Sequence, residues 1–293
     1  MRTFARVAEK GSLSAAARDL ALTQPAISQQ ITALERELQV RLLHRTTRGL
    51  TLTDEGERYY QRVKEILGAV EEAAEALKTP DGPLNGLIRV QAPSGFGQLH
   101  VAPSLIAFKQ RHPDLVADLI LEDRISDLVS EGVDLAIRLG EVKSPGLTIR
   151  RLGKIRRLLV ASPAYARERG LPRFPEELRS HPFVRFSWMA SGDDLTLVGP
   201  DGPMTVETQA TFLANNAFAL IEAVRGGLGI GAVQGPLVHH LLQEGELVEV
   251  LPDWAYPPLD MHAVYPSRRF IPRRVRALVE HLAATLAHIP GMA

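Results

Sequence analysis

Over the first forty residues, apolar positions recur every three to four residues, a spacing that predicts short helices. Phe4 and Val7 fall on one side of a helix over 2–10, which Gly11 ends. Ser12 or Ser14 can cap a second helix carrying Ala15, Ala16, Ala17 and Leu20. After the turn Ala21-Leu22-Thr23, Thr23 is a fitting N-cap, and Pro25 sits early in a third helix, where its missing N–H costs little. Ala26, Ile27, Ile31, Leu34 and Leu38 bury one face of that helix, and Gln24, Ser28, Gln29, Thr32 and Arg36 form the other. Two short helices joined by a tight turn make a helix-turn-helix. Over 41–53 the period changes to two and threonines accumulate, which predicts a β-hairpin with Arg45 to Gly49 at its tip, a wing.

Thr53 then caps a helix running to about residue 78, its first turn acidic as the helix dipole favours. Tyr60, Val63, Leu67, Val70, Ala74 and Leu77 form a narrow seam along it. Such a seam suits pairing with another helix, either the same helix of a second subunit or a surface of its own C-terminal part. Thr79-Pro80-Asp81-Gly82-Pro83 ends the helix and forms a hinge. Beyond it, strands are expected over 87–92, 115–121, 135–139, 148–152 and 158–161, with helices over 99–111 and 125–131. A second unit has strands near 184–186, 195–198, 205–211, 229–233, 247–250 and 261–265, and helices near 216–225 and 235–243. A closing helix covers 272–287. This alternation is that of open α/β sheets. The divisions are therefore 1–53, a linker helix over 54–79, a hinge over 80–86 and a C-terminal domain over 87–293.

Composition changes this picture in few places. The 293 residues hold no cysteine, which removes disulfides and thiolate metal sites. No run approaches the ~18 apolar residues of a membrane span. The N-terminus lacks the apolar core of a signal peptide, so a cytoplasmic protein with no membrane partner is expected. Net charge is zero, yet the chain is not uniform. Residues 1–48 carry Arg2, Arg6, Lys10, Arg18, Arg36, Arg41, Arg45 and Arg48 against Glu9, Asp19, Glu35 and Glu37. A basic N-terminal module is what phosphate binding needs.

Catalytic signals are weak. Gly226-Gly227-Leu228-Gly229-Ile230-Gly231 has the wrong glycine order for a dinucleotide loop. His239 and His240 are adjacent and point apart on a helix. Ser187, Ser191 and Asp193 have no convincing histidine partner. No cofactor, metal or enzymatic activity is expected.

Phe4 to Glu9, Gly11 to Ala17, Leu20, Thr23-Gln24-Pro25-Ala26-Ile27-Ser28, Ile31, Leu34-Glu35, Leu42 to Arg45 and Leu50 to Gly56 together resemble the opening of LysR-type transcriptional regulators. Ile88-Arg89-Val90, Pro93, Pro103, Phe108, Pro113, Gly132 to Arg138 and Ala161-Ser162-Pro163 resemble the family's effector-binding domain. The tail, Leu251-Pro252-Asp253-Trp254 with Ala263 to Ser267, is similar to the CrgA-type subgroup. In one departure the first helix begins at Met1, where family members carry several more residues. Either it is shortened or the start lies elsewhere.

The resemblance implies an α+β multi-domain protein: a winged helix-turn-helix, a linker helix and a two-lobed α/β effector domain of periplasmic-binding-protein type. Lobe I would be 87–163 with 267–293 and lobe II 164–266, with crossovers near 162–166 and 267–270. It further implies a homodimer through the linker helix, often a tetramer, acting on double-stranded promoter DNA under a small-molecule effector, with anionic compounds among the candidates, and with RNA polymerase as a further partner. A small-solute receptor without DNA binding is the alternative. Gln24, Ser28, Gln29 and Thr32 suit base edges, and Pro25 suits a thymine methyl. Arg36 suits a phosphate, and Arg48 the minor groove or backbone. For the effector, Ser94, Gly95 and Phe96 offer a hydroxyl and backbone N–H groups after the first strand. Arg138 suits a carboxylate or an external salt bridge. Asn215 and Asn216 open a helix as ligands or caps, and Gly231 permits close approach to the cleft.

Overall fold

The computed structural model describes residues 1–46, 49–76, 83–124, 127–128, 131–142, 146–187, 194–266 and 271–292. They fall into two units, Met1–Gly82 and Pro83–Ala293.

In the first unit α1 (Arg2–Lys10) buries Phe4, Ala5 and Val7 and ends at Gly11, whose φ of 60° is left-handed. Ser12, not Ser14, caps α2 (Leu13–Asp19) by accepting from the Ala15 N–H. Thr23 caps α3 (Gln24–Leu38) in the same way through Ala26. The Glu35 carboxylate accepts the Leu42 and Leu43 N–H groups at 2.8 and 3.2 Å, tying α3 to the wing. There β1 (Leu43–Thr46) pairs antiparallel with β2 (Gly49–Leu52), Leu43 opposite Leu52. The Thr53 hydroxyl donates to the Arg41 carbonyl at 2.7 Å and accepts from the Gly56 N–H at 2.9 Å. One side chain thus closes the hairpin and starts α4 (Asp54–Ala76).

The core of this unit is Phe4, Val7, Ala16, Ala17, Ile27, Ile31, Leu42, Leu43 and Val63. Tyr59 and Tyr60 lie 5.4 and 6.5 Å from the Phe4 ring. Leu38, expected inside, is exposed. It is the last residue of α3, and left-handed Gln39 turns the chain there, leaving Leu38 at the surface. Of the α4 seam only Val63 is buried; Tyr60 and Leu67 are half-buried and Val70 is exposed. Leu77 and the Ala74 side chain lie outside the described residues.

In the second unit β3 (Gly86–Ala92) leads into α5 (Ser94–Phe96), a wide π-type turn over Gly97–Val101 and α6 (Ala102–Arg111). β4 (Leu115–Leu121) and β5 (Leu135–Leu139) flank β3 in parallel. The helix expected over 125–131 falls largely outside the described residues. Next come β6 (Leu147–Ala161), α7 (Pro163–Arg169), a 3₁₀ turn at Pro175–Ser180 and β7 (Pro182–Phe186). The hairpin β8 (Asp194–Gly199) and β9 (Gly202–Glu207) precedes β10 (Gln209–Ala214) and α8 (Ala217–Arg225). β11 (Ile230–Gln234), α9 (Gly235–Gln243), β12 (Val248–Val250), β13 (Tyr256–Pro266) and α10 (Arg273–Leu286) complete it.

The main sheet runs β10-β7-β11-β6-β13-β5-β3-β4, with β12 also on β6. The two strands expected over 148–152 and 158–161 are one strand, because β6 has a partner along its whole length. It pairs with β13 over its first part and with β11 and β12 over its last. Where a crossover was expected near 162–166, Ser162 caps α7. The other expected crossover, over 267–270, lies outside the described residues. The strand expected over 205–211 is two strands. At buried Thr208 the chain leaves its hairpin with β8 and joins β7. Among the described residues no helix is long and apolar enough to cross a membrane.

Candidate functional sites

Gln24, Pro25, Ser28, Gln29, Thr32 and Arg36 lie within about 140° of the α3 circumference at 3.6 residues per turn. Ile27 and Ile31 fall about 60° and 20° beyond the Gln24 edge of that arc and anchor the helix in the core. Gln24, Pro25, Gln29, Thr32 and Arg36 are exposed and Ser28 is half-buried. The Ser14 hydroxyl donates to Gln24 Oε1 at 3.1 Å, holding the start of α3 against α2. The Thr32 hydroxyl donates to the Ser28 carbonyl at 2.9 Å, which leaves its oxygen as an acceptor. Gln29 has no partner among the described residues and keeps its donors and acceptor for a ligand.

Three of the acids around this face are occupied elsewhere. Arg6 pairs with Glu9 and, at 2.7 Å, with Asp19, which also meets Lys10, and Glu35 faces backbone amides. Arg36 and Arg41 have no ion pair among the described residues, so the face stays cationic. Arg48 lies outside the described residues.

The second unit holds a cavity of about 840 Å³, within the size range of small-molecule sites. It opens where parallel strands end, the usual place for ligands in open α/β sheets. Lobe I contributes Pro93 after β3, Glu122, Asp123 and Arg124 after β4, and Arg138, Leu139 and Glu141 around the end of β5. Lobe II contributes Phe186, Gln234 and the first turns of α8 and α9 through Ala217, Leu220, Ile221 and Leu237. The shared strands contribute Arg157, Tyr256 and Leu259.

Of the residues singled out from sequence, Arg138 lines this cavity and the others do not. The Ser94 N–H donates to Asp123 Oδ1 at 3.0 Å, so that amide is already taken. Gly95 is buried against lobe II: a methyl there would lie 3.0 Å from Ala217 Cβ and 3.1 Å from Leu237 Cδ1. Phe96 is a core side chain beside His100, whose ring nitrogen meets the Pro236 carbonyl at 3.1 Å. Asn215 is exposed, and Asn216 caps α8 by accepting from Phe218 and Ala219. Gly231 lets β11 approach α8; a methyl would come within 2.5 Å of Val224.

The two partly buried cations of the cavity differ. Arg138 donates to Gln91 Oε1 at 2.5 Å. Burial lowers its pKa, while Glu131 and Glu122 act in the opposite sense. Arg157 donates through Nε to the Pro257 carbonyl at 2.5 Å and stacks 3.6 Å over the Tyr256 ring. Burial lowers its pKa as well, with only Tyr256 opposing. Sequence reading missed Arg157 because it falls in the gap between the two strands that turn out to be one.

Comparison with known proteins gives two family matches: bacterial regulatory helix-turn-helix protein, lysR family, over residues 1–57, and LysR substrate binding domain over 81–287. The chain is 34% identical over 292 residues to the HTH-type transcriptional regulator PtxR of Pseudomonas aeruginosa, covering 98% of this chain and 92% of that one. It is 32% identical over 286 residues to the probable HTH-type transcriptional regulator LtrA of Klebsiella pneumoniae, covering 97% and 93%. Among solved structures, CrgA, a LysR-type transcriptional regulator from Neisseria meningitidis, superposes with a TM-score of 0.64 at 31% identity, covering 97% of each chain. The full-length Vibrio cholerae virulence activator AphB gives 0.62 at 28%, covering 96% of this chain and 97% of that one.

Proposed function

The chain belongs to the LysR family of bacterial helix-turn-helix regulators, and we propose that it reads promoter DNA with the exposed face of α3 and responds to a small molecule held in the cavity of its second unit. It is a DNA-binding transcriptional regulator whose activity an effector modulates, as its relatives are. The observation that carries the residue assignment is the division of α3. Ile27 and Ile31 fix one side in the core, and Gln29, Thr32 and Arg36 stand free of it. An α-helix so presented fits the major groove, with Gln24, Ser28, Gln29 and Thr32 at base edges and Pro25 against a thymine methyl. Arg36 meets a phosphate, and Arg48 on the wing meets the backbone or minor groove.

The working unit is a homodimer joined through α4, assembled further into a tetramer, with RNA polymerase as the downstream partner. Ile66 and Val70 on α4 are exposed apolar side chains that such pairing would cover. An effector that prefers one arrangement of the lobes shifts the assembly by the difference between its affinities for the two states. No catalytic step is proposed.

Gel shifts on the divergent promoter beside the protein's own gene test the DNA assignment. Gln29→Ala should weaken cognate binding by about 1–3 kcal/mol and leave scrambled DNA nearly unaffected. Unchanged discrimination would remove Gln29 from the reading face.

A further inference from the structure

We propose that the effector is a monocarboxylic acid with a mainly apolar body, and that Arg157 anchors its carboxylate at the floor of the cavity. This rests on the cavity being the effector site.

The charges of the cavity divide by lobe. On the lobe I side each cation faces acids: Arg124 pairs with Glu122 and Glu131, and Arg138 lies in the field of Glu131 and Glu122. The Ser94 N–H at the helix start already donates to Asp123. With Glu122, Asp123 and Glu141 against Arg124 and Arg138, that wall keeps an acid in excess and offers no cation free of an acidic neighbour.

The floor is the reverse. Gln234, Arg157 and Tyr256 are register neighbours on three adjacent strands, β11, β6 and β13, and all three line the cavity. Neighbours across a ladder project to the same side of a sheet. Arg157 is half-buried, its Nε is satisfied by the Pro257 carbonyl, and no carboxylate pairs with it among the described residues. Its terminal nitrogens are left for a ligand. Beside it Gln234 Oε1 is buried with no donor among the described residues. A guanidinium withdrawn from water and lacking a counter-ion favours an anion, and its planar fork matches a carboxylate. A hydroxyl or N–H close to that carboxylate would satisfy Gln234.

The rest of the ligand meets Phe186, Leu220, Ile221, Leu237 and Leu259, which favour hydrocarbon over further polar groups. A second carboxylate at the far end would meet the acidic wall and be repelled. One anionic end and an apolar body satisfy both sides.

The test is thermal unfolding of the full-length protein with 3-phenylpropionate and octanoate. Their primary amides and the dicarboxylate suberate serve as controls. At least one of the two acids should raise Tm in a saturable way, and its amide and suberate should bind about ten-fold or more weakly. Arg157→Gln should lower affinity for that acid by about ten- to a hundred-fold, with Arg157→Lys retaining part of it. No shift with either acid at millimolar concentration, equal binding of the amide, or undiminished binding by Arg157→Gln would overturn the proposal. A loss confined to Arg138→Gln would do so too. The same preparations are assayed on promoter DNA. Retained DNA binding without acid binding sinks only the effector class, whereas wild-type protein that ignores the promoter sinks the regulator reading itself.

Discussion

A methyl group on Gly56 would sit 2.0 Å from the Leu42 carbonyl oxygen and 2.9 Å from its carbonyl carbon. Both atoms are backbone, and the Thr53 hydroxyl on the Arg41 carbonyl and the Glu35 carboxylate on the Leu43 N–H hold the chain on either side of them, so neither can move aside cheaply. In an open helix, Gly→Ala gains about 1 kcal/mol from propensity. Here overpacking opposes that gain, and Gly56→Ala should destabilise by about 1–3 kcal/mol in urea unfolding of the full-length protein. A stabilised variant would show that α4 can lift from the wing. Sequence shows that such a position lacks a methyl and cannot show what occupies its place. The same limit affected Gly95, whose glycine was legible but whose neighbours Ala217 and Leu237 come from elements more than a hundred residues away, while Gly231 meets Val224 of the helix just before it. Caps were easier. Thr23 and Thr53 act within three residues of themselves, and local chemistry suffices to place them.

At the scale of elements, legibility follows how local the cause is. In unit 1 the described bounds of α2 and α3 were readable because periodicity, a side-chain cap and a turn residue mark them locally. The continuity of β6 was not, because it is imposed by β13, β11 and β12, which lie 70 or more residues further along the chain. Arg157 was hidden by the same error, and with it most of the cavity floor. The α4 seam is an intermediate case. Of its described positions, Val63 is fully buried within the unit, while Val70 is 49% exposed beside Ile66 at 45%. The two valines should therefore respond differently to the same change. Val70→Glu should leave unit 1 folded and weaken self-association in sedimentation equilibrium, because a carboxylate in an apolar helix seam is unpaired and desolvated. Val63→Glu should instead unfold the module. If Val70→Glu leaves the mass distribution untouched, α4 is not the dimer contact.

For the whole molecule, histidine burial couples stability to pH. Four histidines of the second unit have pKa values lowered from 6.5, in each case chiefly by burial: His100, His112, His181 and His281. Arg111 adds to the effect at His112 and His281, and the Pro236 and Ser104 backbone carbonyls oppose it at His100 and His281 respectively. They are spread over the fold: His100 against the start of α9, His112 and His281 around Phe108 between α6 and α10, and His181 on the Tyr165 hydroxyl at 2.7 Å. In each case the unfolded chain takes up a proton at a pH where the folded chain does not. Stability therefore rises with pH through this range, since its slope follows the excess of protons bound in the unfolded state. The contribution is complete above the ordinary histidine pKa of about 6.5 and is lost as pH falls through the lower folded values. Glu280, held low by its hydrogen bond to Arg150, acts in the same direction at lower pH. The urea midpoint should consequently drop between about pH 7.5 and pH 5.5, with the slope unchanged if the transition stays two-state. Replacing His281 by Gln should flatten part of that drop while costing some stability at the upper pH, since His281 joins α10 to the Ser104 carbonyl at 2.8 Å. A midpoint that stays level over the interval would mean that these imidazoles are hydrated in the folded protein and that the packing of α6 on α10 is looser than the distances indicate.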